Sequence, residues 1–161
     1  MELEYGLIEN ALDSLREAMN YYNEGDEEDN ANQYKFSILL SAHCVELLLK
    51  EILRRNHPAL LFENIDSVKD LQDDDNQTVG YKNAIQRVKK LCGVDLKQYE
   101  TYIDELGRVR NQIQHYKCSI NGEYHKQLMA KTFSAIEFIF RDILGLKFED
   151  YENIIEPADI D

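Results

Sequence analysis

The chain has 161 residues, 43% of them apolar and 30% charged, with a net charge of −13. This size supports one domain with a real core and is short for two, and the balance of residue types excludes a disordered polymer. The negative charge excludes a protein that coats nucleic acid through charge alone, and no apolar run approaches the ~20 residues a bilayer-crossing helix requires.

Only two prolines occur, Pro58 and Pro157, and no segment shows sustained alternation of β-branched residues, so the chain reads as all-α. A first helix is expected over 2–23, with Leu3, Leu7, Ile8, Leu12, Leu15 and Met19 on one face. Gly25 and the acidic run GDEEDN are expected to end it, leaving Asp29 or Asn30 to cap the next.

The second helix, over 31–55, is apolar nearly all round (YKFSILLSAHCVELLLKEILRR), which marks it as the central, buried one. His57-Pro58 stops it, because proline cannot continue the hydrogen-bond ladder. The acidic connection that follows has room for a short helix, Ser67 and Asp70 having capping-box spacing.

A third helix is expected over 79–91, ended by Cys92-Gly93. A fourth, over 96–116, takes Asp95 as its cap. After the Asn-Gly turn in SINGE, a fifth spans 123–144, with Leu128, Met129, Phe133, Ile136, Phe140 and Ile143 inward and Gly145 as its stop. The acidic tail KFEDYENIIEPADID is expected to be held loosely. The architecture is an antiparallel bundle of four long helices plus a short extra one, over 1–146, with the tail over 147–161.

Cys44, Cys92 and Cys118 are odd in number and widely spaced, with no CxxC pair and no histidine at zinc-ligand spacing; reduced thiols, no metal and no cofactor are expected. The N-terminus carries acids where a signal peptide has a basic flank, so a cytoplasmic location is expected. Charge is uneven. Residues 1–75 hold 18 acids and 6 bases, 76–131 hold 5 and 10, and 132–161 hold 8 and 2. Only the middle segment is net positive.

Two polar features stand out. On the central helix His43, Glu46 and Lys50 form one stripe, at spacings of three and four. A buried carboxylate needs a cation, so a Glu46–Arg110 pair with the fourth helix is expected, whether as a structural pin or as support for a site. Within the basic segment lies DELGRVRNQIQHYK, residues 104–117. Arg-Asn followed by histidine at this spacing is expected by chance about 0.04 times in such a chain.

The stretch RNQIQH (110–115), with the apolar second helix and its embedded glutamate (SAHCVELLLKEIL, 41–53), resembles the HEPN domain family. That all-helical family occurs in prokaryotic toxins, antiphage systems and some eukaryotic ribonucleases. Its signature is arginine, a polar residue that is often asparagine, then histidine after four to six residues in all. Helix order and length also agree over most of 1–145.

The resemblance implies metal-independent RNA cleavage, in which the ribose 2′-hydroxyl attacks the adjacent phosphorus and leaves a 2′,3′-cyclic phosphate. His115 would serve as general acid or base, Arg110 would offer its fork of donors to the phosphoryl charge, and Asn111 would orient the phosphate or the histidine. Glu46 and His43 would support the site, and Tyr116, Lys117 and Arg108 would contact RNA. Five residues along a helix rotate about 500°, so Arg110 and His115 point some 140° apart. HEPN protomers usually pair so that both motifs line one cleft, and a homodimer is therefore part of the expectation, together with an antitoxin or regulatory partner. In HEPN toxins paired with a nucleotidyltransferase antitoxin, a tyrosine stands two residues after the histidine. Here Tyr116 follows His115 directly and Lys117 holds that second position, a departure from the pattern.

Two alternatives stand beside the ribonuclease. One is a non-catalytic HEPN-like module that dimerises or scaffolds a partner protein, which the net charge favours. The other is an unrelated bundle whose motif is an accident. The acidic loop 62–75 and the acidic tail are further expected to shield the basic groove by imitating RNA.

Overall fold

The computed structural model describes residues 4–155, and among them lie five α-helices: α1 (Leu7–Glu27), α2 (Asn32–Asn56), α3 (Tyr81–Lys90), α4 (Tyr99–His115) and α5 (Gly122–Phe138). A π-helical turn, Ile139–Ile143, continues α5, and 3-10 turns occupy Pro58–Leu61, Ile65–Ser67 and Phe148–Tyr151. No strand occurs among the described residues, only an isolated antiparallel bridge between Phe62 and Thr78. The fold is all-helical.

The amphipathic spacing of α1 buries Ile8, Ala11, Leu12, Leu15 and Ala18, and that face lies against α2. The two helices run antiparallel: Ser37 meets Ala18, its hydroxyl donating to the Ala18 carbonyl at 2.7 Å, and Tyr34 meets Gly25. α2 also packs on α3, α4 and α5, so its nearly all-round apolar surface is the centre of the molecule. Leu48, Leu49 and Leu53 there have no exposed surface, and truncating any of them to alanine costs about 2–5 kcal/mol. α4 and α5 form a second antiparallel hairpin, joined by the Tyr99–Phe138 stack at one end (centroids 4.5 Å apart) and by Arg108 and Tyr124 toward the other.

Several expected boundaries move, each for a local reason. α1 begins at Leu7 and runs on through Gly25 to Glu27; Leu3 and the expected start at residue 2 lie outside the described residues. Gly25 is not a stop. A β-carbon there would sit 2.9 Å from the Tyr34 ring, so glycine is what allows α1 and α2 to approach. Asn30 accepts from the Asn32 amide at 3.3 Å, while Asp29 takes a positive φ of 50° in the turn and caps nothing.

Asp95 does not cap α4. Its carboxylate accepts from the Lys97 amide at 2.8 Å, and Lys97 then adopts φ 53°, so the helix starts only at Tyr99. Ser67 and Asp70 do not open a helix either. Ser67 ends a 3-10 turn, and the Asp70 and Asp73 side chains bond the amides two residues on, the local turn chemistry that competes with helix in acid-rich segments. This acidic loop is tied at both ends. Val79 donates to Leu61 O (2.7 Å), Glu63 to Gln77 O (2.9 Å), and Arg87 to the carbonyls of Leu60, Phe62 and Glu63.

The stops at Gly93 and Gly145 hold, both glycines taking positive φ. Beyond Gly145 the chain is not loose. Phe148 is buried and stacks on Phe140 at 4.3 Å, Ile155 is fully buried, and Arg16 donates to the Ile154 carbonyl at 3.1 Å. The packed unit therefore reaches at least Ile155, past the boundary expected at residue 146. Residues 156–161 of the tail lie outside the described residues. No helix among the described residues is long and apolar enough to cross a membrane.

Candidate functional site

Glu46 sits where α2 faces α3 and α4, and it gathers two cations. Lys50, one turn on and itself buried, donates to Glu46 Oε1 at 2.9 Å and to Thr78 Oγ1 at 3.0 Å. Arg110 Nη2 from α4 lies 3.7 Å from Glu46 Oε2. The expected pair between α2 and α4 is formed, and Lys50 from the same stripe shares the carboxylate.

Arg110 is held on further sides. Its guanidinium lies over the Tyr81 ring at 5.4 Å from the centroid, and Nη1 donates to Gln114 Oε1 at 3.0 Å. Nε is buried with no partner among the described residues. Tyr81 can lie so close to α4 because position 107 is glycine, where a β-carbon would stand 2.6 Å from the ring. The Tyr81 hydroxyl is anchored on Ile103 O at 2.8 Å; burial pushes its pKa up, against the opposing charge of Arg110. Together these contacts fix the orientation of the arginine.

His43 is exposed and not a core residue. Desolvation of its ring by surrounding side chains lowers its pKa; Glu46 pulls the other way, while Lys50 and Arg110 add to the lowering. It therefore lies in the field of the Glu46 cluster without a hydrogen bond to it.

His115 is the last residue of α4, and the chain leaves the helix at Tyr116 in extended conformation. Asn111, His115, Tyr116 and Lys117 are exposed and make no side-chain hydrogen bond or ion pair among the described residues. Arg108, also exposed, is tied to α5 instead: it donates to the Tyr124 hydroxyl at 3.1 Å, which donates to Glu105 at 2.5 Å. Arg110 thus faces α2 and α3 while His115 faces out with Asn111. Within one chain the two are not brought together, as their 140° separation requires.

Three residues at the site escaped sequence reasoning: Thr78, Tyr81 and His125. A glycine in the middle of α4 was the available signal for Tyr81, since glycine there costs helix stability and marks a close approach. His125, at the start of α5, is 6% exposed and packs beside the C-terminal end of α4. Its signal is its place four residues after Asn121, whose side chain caps α5 through the Tyr124 amide at 2.9 Å.

Among the described residues no three His, Cys, Asp or Glu side chains converge as metal ligands, and all three cysteines are free. No family model, characterised protein or solved structure matches the chain.

Proposed function

We propose that the chain is a metal-independent endoribonuclease of HEPN type, a toxin or antiphage effector that works as a homodimer. One observation carries this: a single helix holds Arg110 rigidly against Glu46 and Tyr81 while leaving Asn111 and His115 exposed and unengaged among the described residues. Buried residues are arranged for stability; an exposed, unengaged imidazole suits proton transfer, and a fixed guanidinium supplied by a second copy suits the phosphate beside it.

In the proposed reaction the ribose 2′-oxygen attacks the adjacent phosphorus and the bond to the 5′-oxygen breaks. The 2′-hydroxyl proton passes to one basic group, and the departing oxygen takes a proton from an acidic one. His115 fits either role, and in a dimer two copies supply both. Arg110 stabilises the charge on the non-bridging oxygens, its contact to the exposed Gln114 being the one a phosphate displaces. The substrate is RNA because the nucleophile is the 2′-hydroxyl. A restraining antitoxin or regulatory protein would act by covering this exposed end of α4.

A second reading has its own observation. Both terminal nitrogens of Arg110 are already engaged inside the chain, which favours a non-catalytic module that dimerises or scaffolds a partner. The two separate in one assay. Purified wild type and His115→Ala are incubated with total cellular RNA and EDTA. The nuclease predicts cleavage by wild type with 2′,3′-cyclic phosphate ends, reduced about 100-fold or more in the variant. Well-folded wild type that leaves the RNA intact would overturn it in favour of the module.

A further inference from the structure

Beside His115, the C-terminal half of α4, residues 116–119 and the start of α5 enclose a groove of about 550 Å³, the size of a small-ligand site. We infer that this groove is a nucleobase subsite, which takes one unstacked base of single-stranded RNA next to the phosphate that His115 acts on. The inference rests on the ribonuclease reading and names where that enzyme grips its substrate.

The lining is suited to a flat heteroaromatic ring. Val109 and Ile113 give an apolar floor, and Tyr116, 77% exposed, offers an aromatic face at the mouth. An exposed tyrosine gains little from folding, whereas it offers a base a face to stack on whatever its sequence. Lys117 stands at the rim, where a backbone phosphate would pass. Gln112 lines the groove one turn before Tyr116 and lies within about 60° of His115 around α4. A base in the groove is therefore next to the histidine.

His125 supplies the strongest observation. The residue is 6% exposed and lines the groove, and Nε2 makes no hydrogen bond to the protein among the described residues. Nδ1 is fully provided for, lying 3.1 Å from the Asn121 amide nitrogen and 2.7 Å from the Asn121 carbonyl oxygen. Asn121 can thus donate to Nδ1 or accept from it, and both tautomers are satisfied at that end. In the first case Nε2 presents a proton to the groove, in the second a lone pair. A base edge of either polarity can therefore meet this nitrogen in place of water. The Gln112 amide likewise has a donor and an acceptor, and the edge of a nucleobase offers both.

The test is direct binding of the four nucleoside 3′-monophosphates to the full chain, followed by NMR. Saturable shifts are expected at the His125 ring, the Gln112 amide and the Ser119 backbone. Gln112→Ala, which alters an exposed side chain, should weaken that binding about fivefold, the worth of one neutral hydrogen bond. His125→Phe should weaken it at least as much; if that variant fails to fold, Gln112→Ala alone decides. Shifts confined to other residues, or affinity unchanged by Gln112→Ala, would overturn the subsite. Failure of the nuclease looks different: binding in the groove without any RNA cleavage would keep the subsite and remove the catalysis. Cleavage by a protein whose groove signals never move would do the reverse.

Discussion

Arg110 and His115 lie five residues apart in one helix, yet opposite forces act on them. The arginine is wedged between a carboxylate and an aromatic ring, so it contributes to folding whatever else it does. Replacing it with alanine removes the contact to Tyr81 and leaves Glu46 with Lys50 alone. The expected loss is about 1–3 kcal/mol of unfolding free energy. His115→Ala removes nothing that holds the chain together and should stay within about 0.5 kcal/mol of wild type. Chemical denaturation of the two variants checks this; equal losses would mean that the arginine is not a pin. The difference also makes His115 the cleaner probe of the proposed catalysis, because any loss of activity at Arg110 would mix chemistry with stability.

At the scale of elements, the last helix does not finish the fold. The π-helical turn after α5 carries Phe140 against Phe148 and Tyr151, and this packing continues to the buried Ile155. Phe148→Ala should therefore cost about 3–5 kcal/mol, read from thermal or denaturant unfolding; a loss below about 1 kcal/mol would mean that the segment is an appendage after all. Truncation after Leu146 would remove part of the core, so it cannot test whether the acidic tail imitates RNA. The sequence hid this because Phe148, Ile154 and Ile155 are scattered among acids, and composition outweighed three apolar residues without helical period. The α2 surface was easier to read, since apolar residues on every side leave a helix nowhere to lie but the centre. The Glu46–Arg110 pair was legible for a related reason: a carboxylate on that helix must find a cation, and α4 offered few. Asp95, Ser67 and Gly25 were misread because capping and stopping signals are short. An aspartate two residues from an amide makes a local turn as readily as a cap, and a glycine serves close packing as readily as termination.

For the whole molecule the proposed function raises the question of how a chain of net charge −13 would handle a polyanion. The basic excess is confined to residues 76–131, and the exposed Asn111, His115, Tyr116 and Lys117 lie there, beside the groove that holds His125. The acids of the loop after α2 lie elsewhere in sequence, while Asp26 at the end of α1 pairs with Lys126 of this segment. A monomer with this arrangement is poorly equipped, because its rigid arginine and its exposed histidine look away from each other. In the proposed dimer, two copies with their α4 ends together would set an arginine of one motif near the histidine of the other and sum two basic segments in one cleft. Catalysis should then belong to the dimer and not to the chain. The decisive measurement is RNA cleavage, in EDTA, over a dilution series whose assembly state is followed in parallel by sedimentation. Activity per chain should fall in step with the dimer fraction. Undiminished activity per chain in samples that sediment as monomer would contradict a site built from two copies.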